Sequence, residues 1–171
     1  VNWLSAVLAL IAFLFYVGPY SLYLKRRTLH NTVLGGVAGA MPPLIGWAAI
    51  TNTITTEGLL LFVIVFWWQP PHFWALALGL GEEETKRQTM LYSAATWMIT
   101  IVFGTVAAMG PVYFAIAILG GGGFTYCAAR IYRGTGTDGT RAMFRYSTLY
   151  LAALFGSMVL DRALFGYPFG G

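Results

Sequence analysis

The stretch FVIVFWWQPPHFWALALGL, Phe62 to Leu80, has the length of a membrane-crossing helix, yet its centre holds Gln69, Pro70, Pro71 and His72. Each of those four residues costs free energy in hydrocarbon. Proline removes a backbone donor and crowds the preceding turn. A polar side chain there needs a partner or a water-filled cavity. The segment therefore lines something inside a membrane protein, or it is no membrane helix.

Composition decides between these. Hydrophobic residues make up 58% of the 171 residues and charged residues 9%, whereas soluble domains run at about 25% charged. Mean hydropathy is +0.69. The sequence specifies an all-α integral membrane protein. Its single cysteine, Cys127, excludes an intrachain disulfide and suits small apolar packing. The text starts at Val1 with neither Met nor a charged leader, and reads as part of a longer protein.

Charge-free runs mark the spans: Val1–Leu24, Asn31–Thr56 and Gly58–Gly81. Gln88–Ala129 is also uncharged, and at about 1.5 Å per residue it is about twice as long as a ~30 Å bilayer core. It must hold two helices, divided at Met109–Tyr113, where Gly110-Pro111 ends one and starts the next. A sixth helix is expected from about Arg141 to Leu160. Nine of the ten basic residues then fall on alternate connections, all on one side, and Arg162 falls on the other. The positive-inside rule makes the basic side cytoplasmic. The net charge of +4 is accounted for by topology, with no nucleic-acid partner required.

Two clusters could carry chemistry. In YVGPYSLYLKRRTLHN, Arg27 is read as a membrane anchor, while Lys25 and Arg26 fit either anchoring or anion binding. Tyr20 and Tyr23 precede them, and His30 and Asn31 follow at a helix start, where backbone N–H groups and cations suit pyrophosphate. The second cluster is Gln69 and His72. A helix histidine is commonly a packing residue; beside a Pro-Pro interruption, with Gln69, it suits a cavity wall. Pro42-Pro43 repeats the interruption, so both helices are expected to bend or open around a chamber facing the cytoplasm. Gly35 and Gly39 allow close helix approach, and Gly120–Gly123 is read as a packing or flexible spot inside a span. Glu82, Glu83 and Glu84 complement a helix N-terminus rather than forming a metal site.

The residues YSLYLKRRTLHNTVLGGVAGAMPPLIGWAA (20–49) and WWQPPHFWALAL (67–78) closely resemble the protoheme IX farnesyltransferases, or heme O synthases, of the UbiA superfamily of membrane prenyltransferases. The likeness is detailed from Val1 to Leu78, continues through GEEETKRQTMLYS, and thins to hydrophobic pattern over the last two helices. The resemblance implies a nine-helix fold around a central cavity, of which this chain would supply helices four to nine. It also implies transfer of the farnesyl group of farnesyl diphosphate to a vinyl group of heme B in a bacterial inner membrane. Lys25 and Arg26 would hold the diphosphate with help from Tyr20 and Asn31; Gln69 would contact substrate, and His72 would face the heme or the reacting carbon. Mg²⁺ would be the cofactor, bound by two Asp motifs. The first lies upstream of this text, and the second is expected where Leu80 runs straight into Gly81, so that a cytoplasmic loop is missing at that junction. Association as a homo-oligomer, or with heme A synthase or oxidase assembly factors, is a further implication. A UbiA enzyme acting on an aromatic quinone precursor is the alternative, and a transporter subunit with Pro-broken helices a more distant one.

Overall fold

The structure, a computed structural model, describes residues 2–23, 31–77, 83–134 and 139–166. Among them the regular structure is helical throughout: α1 (Trp3–Phe15), α2 (Asn31–Thr51), α3 (Thr56–Ala77), α4 (Glu83–Val106), α5 (Pro111–Ala115), α6 (Gly121–Arg133) and α7 (Thr140–Phe165). α1 runs on into a π-helical stretch, Tyr16–Tyr23, and α5 joins α6 through another, Ile116–Gly120. Five helical stretches are long and apolar enough to cross a membrane: Trp3–Leu22, Val33–Thr51, Glu83–Val106, Pro111–Arg133 and Thr140–Phe165. The sixth, α3, has 22 residues, and the Trp-Trp-Gln-Pro-Pro-His block lowers its apolarity. The chain is a multi-pass all-α membrane protein.

Its outer surface is far more apolar than that of a soluble domain. Trp3, Leu22, Ile50, Leu119, Leu149 and Val159 are among the most exposed residues, while Ser5, Thr89, Ser93, Thr96, Thr100, Ser147, Ser157 and Asp161 are buried. Lipid removes the penalty on exposed apolar surface, and buried polar groups must then find partners inside the protein.

The chain divides within α3 into two compact units, Val1–Pro70 and Pro71–Gly171. In the first, α1 packs along α2. Asn2 caps α1 by accepting from Ser5 N at 2.9 Å, and its amide donates to Ala48 O of α2 at 2.7 Å. α2 ends at Asn52, which adopts φ +54°, a conformation that asparagine tolerates better than most residues. Of the expected bending or opening, opening is not found: α2 and α3 run through Pro42-Pro43 and Pro70-Pro71 as continuous helices. Prolines are tolerated inside membrane helices where neighbouring groups and local backbone adjustment take up the carbonyls they free.

In the second unit α4 packs along α6, and α7 lies against α5 and α6. Thr89, Ser93, Thr96 and Thr100 form one buried face of α4, and each hydroxyl donates to a carbonyl a turn back at 2.7–2.8 Å. That face is therefore self-satisfied and narrow, and lets a neighbouring helix approach closely. The run Gly120–Gly123 is a packing seam. A Cβ on Gly120 would come 2.6 Å from the Tyr150 ring, and one on Gly121 or Gly123 would overlap Trp97 or Tyr146. The flexible reading of this run is set aside.

The division at Gly110-Pro111 is present as expected, and its support comes from α7. The Asp161 carboxylate, fully buried, accepts from Val112 N at 3.1 Å and Tyr113 N at 2.9 Å. It thereby caps a helix start whose own N-cap, Gly110, has no side chain to offer. Arg162 donates to Ala107 O at 3.2 Å across the same turn. At the opposite end of this unit Lys86 donates to Gly134 O at 3.0 Å, which joins the start of α4 to the end of α6.

Candidate functional site

The first unit seats two of the expected site residues on the glycines of α2. A Cβ on Gly35 would lie 2.6 Å from the Tyr20 ring, and one on Gly39 would lie 2.7 Å from Gln69 Oε1. A Cβ at either position would displace Tyr20 or Gln69 from the place it holds. Tyr20 belongs to the π-helical stretch and pairs with Tyr16 at 5.5 Å between ring centroids. Gln69 is buried, and its amide donates to Gly36 O at 3.4 Å. The glycines thus accept polar side chains as well as a neighbouring helix, a role that spacing alone does not distinguish from plain close packing.

The second unit holds His72. It is buried, and its Nδ1 lies 2.7 Å from Ser147 Oγ on α7. That hydroxyl also donates to Phe144 O at 2.7 Å. The imidazole stacks on the Phe144 ring at 4.3 Å and 24°, and meets the edge of Phe73 at 5.3 Å and 68°. A ring held on one face, at one edge and through one nitrogen has a defined orientation, which proton transfer or ligation requires. Ser147 and Phe144 are neighbours of His72 that the sequence did not announce. Nothing in RYSTLYLAAL separates them from ordinary residues of an apolar helix.

Lys25 and Arg26 lie outside the described residues, as do the junction Leu80-Gly81 and the side chains of Tyr23, His30 and Asn31. Glu83 and Glu84 occupy the first turn of α4 as expected, with Glu84 paired to Arg87 at 3.5 Å on the surface. Among the described residues no three His, Cys, Asp or Glu side chains gather as a metal site. These residues do not fit Mg²⁺.

The model of the UbiA prenyltransferase family matches residues 1–154. The chain is similar to the protoheme IX farnesyltransferase of Roseiflexus castenholzii, 45% identical over 181 residues, covering 96% of this chain and 34% of that protein. The same name belongs to relatives in Parvibaculum lavamentivorans, 41% identical over 184 residues, with 96% and 58% covered, and Neorickettsia sennetsu, 44% identical over 182 residues, with 96% and 59% covered. The chain thus spans between about a third and three-fifths of these curated relatives' length. Alignments of 181 to 184 positions that use 96% of a 171-residue chain also show relatives carrying internal residues with no counterpart here. No solved structure matches the chain.

Proposed function

The chain belongs to the UbiA prenyltransferase family, and from that premise we propose that the whole protein is a protoheme IX farnesyltransferase that converts heme B to heme O. The observation that carries this reading is the set of relatives so named, matched over 96% of the chain through both polar blocks. Both reactants are largely apolar and suit a site among membrane helices. The diphosphate needs cations, and in this reading Lys25 and Arg26, which follow Tyr20 and precede Asn31 in the sequence, supply them. The C–O bond to the allylic carbon breaks, pyrophosphate leaves, and the vinyl group bonds to the farnesyl carbon. The cation left on the former vinyl group takes up water and releases a proton. In this reading His72, which is buried, accepts that proton, and Gln69 contacts substrate.

The basic connections face the cytoplasm of a bacterial cell in this reading. Support comes from Lys86 and Arg133 at one end of the second unit and Arg162 at the other. In this reading Mg²⁺ would be held by carboxylates outside the described residues, and it would neutralise the leaving pyrophosphate.

The test supplies purified full-length protein in lipid nanodiscs with farnesyl diphosphate and either heme B or an aromatic acid. Farnesylated heme is the expected product. Prenylation of the aromatic acid with heme B untouched would instead place the protein among the quinone-precursor enzymes.

A further inference from the structure

We propose that the outer side of the α6–α7 pair, where α6 stops and α7 starts, binds the headgroup of an anionic glycerophospholipid through Arg130, Arg133, Arg141 and Arg145. The two helices pack together, and Tyr146 marks their seam: its hydroxyl donates to Gly120 O at 3.1 Å and its side chain covers Gly123. They turn Phe124, Ala128, Ile131 and Met143, Ser147, Tyr150 inward. All four arginines are exposed. Along each helix the exposed residues follow the pattern of an amphiphile. On α7, Arg141 and Arg145 lie one turn apart, and Leu149, 69% exposed, follows one turn deeper. On α6, Tyr126, 65% exposed, lies one turn before Arg130, and Arg133 ends the helix. The membrane-length stretches Pro111–Arg133 and Thr140–Phe165 meet at this end, so both stripes run from cations at the membrane rim to apolar surface within it.

Topology requires only that positive charge lie on one side of the membrane. It does not require the charge to gather on one helix pair. At the start of α4, Glu83 and Glu84 offset Lys86 and Arg87; Arg87 pairs with Glu84, and Lys86 is spent on Gly134 O. From Arg130 to Arg145, by contrast, four arginines accompany one acidic residue, Asp138, for a net charge of +3. None of the four makes an ion pair among the described residues. A guanidinium binds phosphate through two N–H groups at once, and its long stem carries the charge out to headgroup level. A soluble phosphate would use the arginines alone. Leu149 and Tyr126 add surface for acyl chains, and that continuity selects a lipid as the occupant.

The experiment is native mass spectrometry of the full-length protein in neutral detergent, titrated with phosphatidylglycerol or with phosphatidylcholine of the same acyl chains. Phosphatidylglycerol is expected to bind the wild-type protein more tightly; equal affinities overturn the proposal without appeal to any variant. Arg130→Gln and Arg145→Gln should each weaken phosphatidylglycerol binding about fivefold, the size of one cation's interaction with an anionic lipid surface, and leave phosphatidylcholine unaffected. Arg87→Gln removes the same charge from a side chain already paired with Glu84, and should leave the affinity nearly unchanged. A loss in Arg87→Gln equal to that in Arg130→Gln would show that total charge, and not this face, attracts the lipid. Glycerol 3-phosphate at matched phosphate concentration should fail to displace the lipid. Full displacement would make this a site for soluble phosphate and refute the lipid assignment. Neither binding arm depends on the reaction the protein carries out.

Discussion

Replacing Asp161 by alanine should destabilise the protein more than any other single change at its helix ends. The carboxylate is fully buried and holds two backbone donors, Val112 N at 3.1 Å and Tyr113 N at 2.9 Å. Hydrogen bonds to a charged acceptor contribute about 1.5–3 kcal/mol each. Their loss also strands two donors at a helix start that Gly110 cannot cap. Against this, alanine relieves the desolvation of a buried charge. The net loss should be about 3–5 kcal/mol, the range for removing one partner of a buried charged contact. Asp161→Asn retains one acceptor and should lose about half as much. At roughly 2–4 °C per kcal/mol for a chain of this size, Asp161→Ala should lower Tm by about 10 °C. Thermal unfolding of purified protein in detergent, followed by tryptophan fluorescence, measures it. A Tm within about 3 °C of wild type would show that the α4–α5 turn stands without the carboxylate, and would refute this account of the cap.

The glycine seam supplies a paired test. Gly121→Ala would drive a Cβ into Trp97 and should cost about 1–3 kcal/mol by overpacking, whereas a Cβ on Gly122 stays 3.4 Å from the same ring and should cost much less. Equal unfolding midpoints in a denaturant titration would contradict the seam. Lys25→Ala and Arg26→Ala in the full-length protein should raise KM for farnesyl diphosphate or lower kcat with an unchanged Tm, and normal kinetics in both would reduce these residues to topological anchors. His72→Ala should impair heme B turnover more than diphosphate binding, as read by separate steady-state titrations of the two substrates.

The membrane class, the helical fold, the place of the α4–α5 break and the glutamates at the start of α4 were all legible in the residues. These are local or compositional properties: hydrocarbon admits only backbone satisfied within its own segment, so charge-free runs become helices and Gly-Pro ends one. Tyr20, Gln69 and His72 also stood out, because a polar side chain or a histidine is rare in an apolar run. Three things depended on contacts between distant residues. Gly35 and Gly39 looked like a helix-packing pair, and only the folded chain shows Tyr20 and Gln69 resting on them. The two Pro-Pro pairs suggested bent or opened helices, and the fold keeps both helices continuous. Asp161 stood out in sequence only as the neighbour of Arg162, and Ser147 not at all. Asp161 meets the helix start it caps from 48 residues away, and Ser147 meets His72 from 75. A hydrogen bond is decided by distances of a few tenths of an ångström between chain segments, and that proximity exists only once the helices have packed.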